Sequence, residues 1–342
     1  MLNEFKNRVF GCIIVKSINS NFNADFTHHP RTLPDGVVYS TDKALKFSVK
    51  DYLRKMYPDD RIFYVKRYNE KLNPFTLDET YKSLFGEYSK AKIKNKDEIK
   101  RIEVLDNLMK CTDVRLFGAT FAGEANISIH GVVQINHGVN RFAENDIYTE
   151  DILSPFRNPG EEGSDEKAMS TIGNQTNLKE GHYVFHFSIN PKNTMEFYKM
   201  INNGKEDNKK QFLSTSDIDK LREAFNNSVT ALDSSRKIGS ENEAMIWIQL
   251  NESSKKMLPS LTELVNVNEN RELDFSKVYS IIRQIETDIE KIEVFYNPVT
   301  TIIKGLTINS KIKHYNILNN QEITVIEKIA KETAENLSDL TN

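Results

Sequence analysis

The residues best equipped for chemistry gather near the N-terminus. The stretch NSNFNADFTHHP at 19–30 carries Asn19, Asn21, Asn23 and Asp25 and the adjacent pair His28 and His29, with almost no aliphatic side chain. Neighbouring histidines could begin a metal site, but no third ligand stands near them, and a tetrahedral ion needs three or four; solvated side chains are expected there. Asparagines in such a loop favour turns, because Asn tolerates positive φ and bonds its own backbone. A second set lies just downstream. At 100° per residue Lys43, Lys46, Lys50 and Arg54 fall within about 80° of one another on a helix, a cationic stripe of the kind that usually forms a solvated face. No cluster of carboxylates, or of His with Lys, makes a general acid–base or metal-ion constellation. Cys12 and Cys111 have neither metal-type spacing nor a disulfide framework and are expected as buried thiols in a reducing compartment.

These residues need elements to hold them. The 342 residues, 38% hydrophobic, can bury a core of ordinary size. No apolar run is long enough for a membrane span and MLNEFKNRVF lacks signal-peptide order, so the expected location is cytoplasmic. The net charge of −3 gives no global sign of a nucleic-acid binder, yet residues 1–70 hold 12 Lys and Arg against 8 Asp and Glu. RVFGCIIVK at 8–16 reads as a strand. A helix follows, with apolar residues Leu45, Val49, Tyr52, Leu53 and Met56, cap candidates Ser40, Thr41 and Asp42, and Pro58 at its end. Residues 58–126 read as an insertion, with a possible strand at 61–68 and a lysine-rich helical segment at 90–109. Alternation at 127–137 predicts a half-buried strand, and HYVFHFSI at 182–189 another, whose aromatics Tyr183, Phe185 and Phe187 are expected in the core. Between these two lies a long acidic loop. A helix at 217–232 and a strand at 244–250 complete the order strand, helix, strand, strand, helix, strand. That order belongs to an α+β class, the ferredoxin-like core (βαββαβ) of RRM modules, with both helices on one face of an antiparallel sheet. Candidate helices at 274–293 and 321–337 place residues 261–342 as an extension packed on the core or as a small second lobe.

Several runs are familiar beyond their periodicity. DVRLFGATFA at 113–122, ISIHGVVQINHGVNRF at 127–142, AMSTIG at 168–173, HYVFHFSINP at 182–191 and LDSSRKIGSENEAM at 232–245 stand in order on the expected elements. Together they resemble the RAMP-type backbone subunit of type I CRISPR surveillance complexes, closest to the type I-B branch of the Cas-seven family, over roughly residues 5–260. In that family the first strand leads into an Asn-Pro-Asn-Gly-Asp loop, and Asn19-Ser20-Asn21-Phe22-Asn23 stands at the same place, followed by a matching Pro30-Arg31 pair. Ser20 and Phe22 replace the proline and glycine, and Asn23 replaces the acid.

The resemblance implies a non-catalytic protein without cofactors, lining up in copies along guide RNA (crRNA) with other subunits of the Cascade complex. Each copy holds bases for pairing with a target DNA strand in antiviral defence. Such a subunit grips phosphate and ribose and leaves sequence reading to base pairing. Lys43, Lys46, Lys50 and Arg54 then become phosphate contacts, and Arg31, Asn19, Asn21 and Asn23 bond the backbone or 2′-hydroxyls. Gln134, His137 and Arg141 join them from the second half. The insertion at 141–181 takes the place of the family's thumb. There Met169 and Ile172, with Ser170 between them in AMSTIG, are candidates for an apolar wedge between bases. The 9 acidic against 3 basic residues at 143–190 fit RNA poorly, so the acidic stretch 161–166 is expected to meet a neighbouring subunit or solvent. Two rivals stay open: a metal-dependent endoribonuclease like the type III backbone subunits, using Asp25 or Asp35, and a monomeric RRM-like binder of single-stranded RNA.

Overall fold

The apolar run near the N-terminus forms the centre of the molecule because both of its faces are covered. The computed structural model describes residues 3–93, 96–157, 169–202 and 213–324. Strand β1 (Val9–Ser20) leads through β2 (Tyr39–Ser40) into helix α1 (Asp42–Met56). Next come α2 (Leu77–Phe85), the hairpin of β3 (Lys90–Ile93) and β4 (Lys96–Ile99), α3 (Arg101–Met109), α4 (Thr112–Phe117) and the hairpin of β5 (Gly118–Ala122) and β6 (Asn126–His130). The chain returns through β7 (Val133–Ile135) and β8 (Gly138–Asn140), then runs along β9 (Ile147–Arg157) and β10 (Met169–Ile189). α5 (Met195–Asn202), α6 (Thr215–Asn227) and β11 (Ser240–Leu250) follow. The C-terminal part contributes β12 (Asn266–Val267), β13 (Leu273–Asp274), α7 (Ser276–Ile282), β14 (Ile289–Tyr296), β15 (Ile303–Lys304) and β16 (Ile312–Asn316). The class is mixed α+β. Among the described residues no helix is long and apolar enough to cross a membrane.

The main sheet has the order β16-β14-β11-β1-β10-β8-β2, with β7 and β9 also paired to β10. β1 is antiparallel to both β10 and β11, and only β14 with β16 runs parallel. Val9, Ile13 and Val15 of β1 pack with Leu45, Val49 and Leu53 of α1 and with Ile218, Leu221 and Phe225 of α6. Phe10, Cys12 and Ile14 point the other way, onto Leu261, Val265, Phe275 and Val278 of the C-terminal part. A strand buried on two sides reads as a continuous apolar run rather than an alternation. Tyr183, Phe185 and Phe187 lie in the first of these layers, fully buried, as expected for core. Gly11 has no room for a side chain, since an added Cβ would stand 2.0 Å from the Ile246 carbonyl oxygen and 2.5 Å from the Phe187 ring.

Residues 58–131 have a core of their own, in which Phe63, Tyr81, Leu108, Val114 and Phe121 pack together. Several sequence readings change here. Residues 61–68 form no strand, and the segment at 90–109 is a hairpin followed by a short helix. The strand expected at 127–137 is two pieces. β6 pairs with β5, Gly131 breaks the run, and β7 joins β10 in the main sheet. Gly131 is pressed against the Phe117 carbonyl carbon, 2.1 Å from where a Cβ would stand, and so forms the crossing between the two units.

The long acidic segment carries strand structure rather than loop. β9 pairs with the first half of β10 from Leu178 back to Met169, while the second half of β10 pairs with β1. One strand therefore belongs to the sheet at one end and to a two-stranded arm at the other, an arm on the order of 30 Å long at the usual strand rise. The acidic stretch 161–166 lies outside the described residues. In the C-terminal part the helix expected at 274–293 ends at Ile282. A 3-10 turn and β14 replace the remainder, and β14 extends the main sheet beyond β11. Of the helix expected at 321–337, residues 321–324 are non-helical and the remainder lies outside the described residues. Both cysteines are free and buried.

Candidate nucleic-acid interface

The stretch 19–30 is a junction between three other parts of the molecule. β1 extends through Ser20, so Asn19 is in the strand and not in a loop, at a left-handed φ of 47°. Its exposed side chain accepts a hydrogen bond from the Tyr148 hydroxyl of the arm, at 3.3 Å. Asn21 is buried, and its Nδ2 donates to the carbonyl oxygens of Thr176 in the arm, at 3.1 Å, and His28, at 3.2 Å. Asn23 Oδ1 accepts from the backbone N–H of Thr41 at 2.8 Å and from its hydroxyl at 2.9 Å. Thr41 is in turn the N-cap of α1, accepting from Ala44 N–H. The third partner is the link before β11, where Asn21 N–H donates to Arg236 O and the Lys237 ammonium donates to Phe22 O while lying 5.1 Å from the Phe22 ring. Asn21 and Asn23 are thus structural ties. Of the three asparagines, Asn19 is the one that presents its side chain outward.

The helix stripe is likewise divided. Lys43 is exposed over 86% of its side chain, and Arg54 is half exposed beside Asp51 at 2.7 Å. Lys46 and Lys50 are covered by the insertion. Lys46 bonds Asp42 at 3.0 Å with Phe117 at 5.8 Å, and Lys50 sits 5.4 Å from the Tyr64 ring. Burial lowers the Lys50 pKa, with the Asp113 carboxylate opposing that shift. The helical wheel sees one helix. It does not register that α1 is wedged between the main core and the insertion, which leaves only the two ends of the stripe open. Met56, expected on the apolar face, is exposed because α1 ends there.

The remaining candidates are scattered around this end of the molecule. His137 is half exposed at 3.6 Å from Asp42 and 5.5 Å from the Tyr39 ring, which places it with Lys43 at the start of α1. Arg31 is partly buried, with its backbone carbonyl accepting from Tyr39 N–H. Gln134 Nε2 donates to Gly131 O at 2.9 Å, steadying the turn between the two units, and Arg141 pairs with Glu263 at 2.7 Å. Met169, Ser170 and Ile172 begin β10 at the far end of the arm, paired opposite Arg157 to Ile152 of β9; their side chains lie outside the described residues. His28 and His29 are exposed, as expected. Sequence reading missed Tyr148, which an alternating IYTE pattern could have flagged as strand, and Lys237, which stood inside a recognised run without being singled out.

At the arm's root is a buried ionic group. The His182 ring is fully buried, with Nδ1 2.6 Å from Glu243 and Nε2 3.3 Å from Glu180, and Glu180 is clamped by Arg271 at 2.7 and 2.8 Å. It joins β10, β11 and the turn before β13 where the arm meets the sheet.

A family model described as CRISPR-associated protein Cas7 matches residues 7–291. Among solved structures, the chain is similar to one titled "CRISPR RNA-guided surveillance complex", with 11% identity and a TM-score of 0.45 over 84% of this chain and 88% of that one. It is also similar to one titled "CRISPR RNA-guided surveillance complex, pre-nicking", with 11% identity and a TM-score of 0.49 over 90% of this chain and 96% of that one. No curated protein matches it.

Proposed function

The chain belongs to the CRISPR-associated protein Cas7 family, and on that premise we propose that it is a non-catalytic backbone subunit which binds guide RNA in repeated copies and presents it for pairing with target DNA. The observation that carries this reading is the family match across residues 7–291. Its partners are then the guide, further copies of itself, other subunits of the surveillance complex and, through the guide, the target strand. We read the four strands β11-β1-β10-β7/β8, with α1 and α6 on one face, as a ferredoxin-like core; strand order and antiparallel pairing support this. The order of the sequence motifs supports placement in the type I-B branch.

The guide's path, in this reading, follows the junction. Lys43, His137 and Asn19 offer charge and hydrogen bonds where β1, α1 and the arm meet, and Arg54 continues the path along the helix. The arm reaches away to a neighbouring stretch of guide, with Met169 and Ile172 at its far end as the wedge between bases. Support for a non-catalytic role comes from the carboxylates the nuclease rival would use. Asp25 Oδ1 accepts from Thr27 N–H, the Thr27 hydroxyl and His29 N–H at 2.8, 2.8 and 3.0 Å, and Asp35 accepts from Val37 N–H at 3.1 Å. Both are engaged in shaping their own turns.

The exposed cations give the test. Each single-strand phosphate contact contributes about 0.7 to the slope of log affinity against log salt. Lys43→Glu with Arg54→Glu should lower that slope by about 1.4 and weaken guide binding, leaving the unfolding midpoint close to wild type. An unchanged slope would move the phosphate path off α1, and absence of RNA binding by the wild-type chain would overturn the function itself.

A further inference from the structure

One side chain near the junction has no structural role. Phe26 is 97% exposed, at the tip of a turn that is otherwise fully organised. Asp25 N–H donates to His29 O at 2.8 Å, His28 N–H returns to Asp25 O at 3.2 Å, and Ala24 bridges Pro30 below. His28 takes the left-handed φ of 70° that closes the turn. The Asp25 carboxylate bonds described above fix the tip further.

The turn itself does not call for an aromatic. The same turn occurs at Asn69, where Leu72 N–H donates to Asn69 O, Asn69 N–H donates to Asn73 O, and Leu72 has a φ of 60°. It occurs again at Asn268, with Arg271 at a φ of 62°. The residue after the leading Asx is exposed Glu70 in one and exposed Glu269 in the other. Those turns place a solvent-facing glutamate where this one has Phe26, and although the first also exposes Leu72 at its left-handed position, Phe26 alone leaves a whole aromatic ring in water. A contact with another protein would call for further apolar residues around such an anchor. Here the exposed neighbours are Thr27, His28 and His29, which offer hydrogen bonds. A flat apolar ring beside hydrogen-bonding side chains matches a nucleobase with its sugar-phosphate.

We propose that Phe26 is a stacking platform for an unstacked nucleobase of the bound RNA, held in position by the Asp25 turn. This rests on the RNA-binding function proposed above. The turn is tied by Asn21 to the arm and, through the adjoining Asn23, to the start of α1, so the platform stands at a fixed distance from the phosphate contacts. Stacking is indifferent to base identity, as a protein that leaves sequence reading to the guide requires.

The experiment uses the full chain, guide-length single-stranded RNAs carrying 2-aminopurine at successive positions, and the variants Phe26→Trp, Phe26→Leu and Phe26→Ala. Stacking predicts quenched 2-aminopurine at one position per protomer in wild type and Phe26→Trp, release of that quenching in the Leu and Ala variants, and roughly tenfold weaker binding for both. All four proteins should unfold at the same temperature, because the ring buries nothing in the free chain. Equal affinity and equal fluorescence across the four would overturn the platform while leaving RNA binding intact. So would a Leu variant equal to wild type, which would mean an apolar contact, or a loss confined to protein self-association. A wild-type chain that binds none of the RNAs overturns this inference together with the function on which it rests.

Discussion

Lys50→Glu is expected to destabilise the chain by roughly 3 kcal/mol, the order of cost of leaving a buried charge uncompensated, although Lys50 reads from the sequence as a surface cation. The reason lies across the interface between α1 and the insertion. The Asp113 carboxylate is 1% exposed and accepts from the backbone N–H groups of Phe63 at 2.7 Å and Tyr64 at 2.8 Å. Burial pushes its pKa up, while those two bonds and the Lys50 ammonium oppose the shift. A glutamate at position 50 replaces a charge that favours the buried Asp113 carboxylate with one that repels it, and it also removes the cation lying over the Tyr64 ring. Urea unfolding followed by circular dichroism measures the cost. Lys43→Glu, on the same stripe but in open solvent, serves as the comparison and should shift the midpoint little. Equal midpoints for the two variants would mean that Lys50 is an ordinary surface residue whose charge the Asp113 carboxylate does not feel.

The ionic group under the arm gives the second large effect, and this one depends on pH. Burial alone would lower the His182 pKa, but the hydrogen bonds and charges of Glu243 and Glu180 outweigh it and hold the imidazolium above its ordinary range. Arg271 keeps Glu180 ionised by hydrogen-bonding to it, against the opposing pull of burial. The two carboxylates are therefore balanced by two cations only while His182 holds its proton. A raised folded-state pKa contributes stability that is fully present below the unfolded value, about 6.5, and disappears as pH rises through the folded value. Wild-type stability should accordingly decline as pH rises above the ordinary imidazole range. His182→Gln removes the cation at every pH. Its cost is expected to be roughly 3–5 kcal/mol near pH 6, the range for leaving a buried charge without its partner, and smaller at alkaline pH, where the wild type has lost the same proton. Denaturant titrations from pH 5.5 to 9 would show the two curves converging. Parallel curves would show that His182 is neutral throughout and that the group is held by hydrogen bonds alone.

Much of the central sheet was legible in the residues. The run at 8–16 announced the first strand, the N-cap Thr41 stood among the three cap candidates for α1, and Tyr183, Phe185 and Phe187 are core because their alternation on β10 leaves them no other place. The division at Gly131 was hidden because the alternation of β6 continues in step into β7, although the two strands belong to different sheets. The insertion was opaque for a related reason: a small unit with its own core is built from short elements, and period counting needs longer ones. The contacts made by the candidate site residues were the least legible part. Asn21, Asn23, Lys46 and Lys50 are of the right type for RNA, yet each is engaged by a partner distant in sequence: Thr176, Thr41, Phe117 and Tyr64. Long-range contacts of that kind leave no periodic trace. Phe26 escaped notice for the opposite reason, since a phenylalanine in a sequence is ordinarily assigned to the core.

The claim that copies of this chain assemble along a guide is tested most directly by mass. The purified protein would be mixed with guide RNAs of stepwise increasing length, and the mass of each complex determined in solution. The proposed function predicts that the number of protomers rises in regular steps with RNA length, with the RNA remaining intact. One protomer on every length would contradict it, as would RNA shortened at regular intervals.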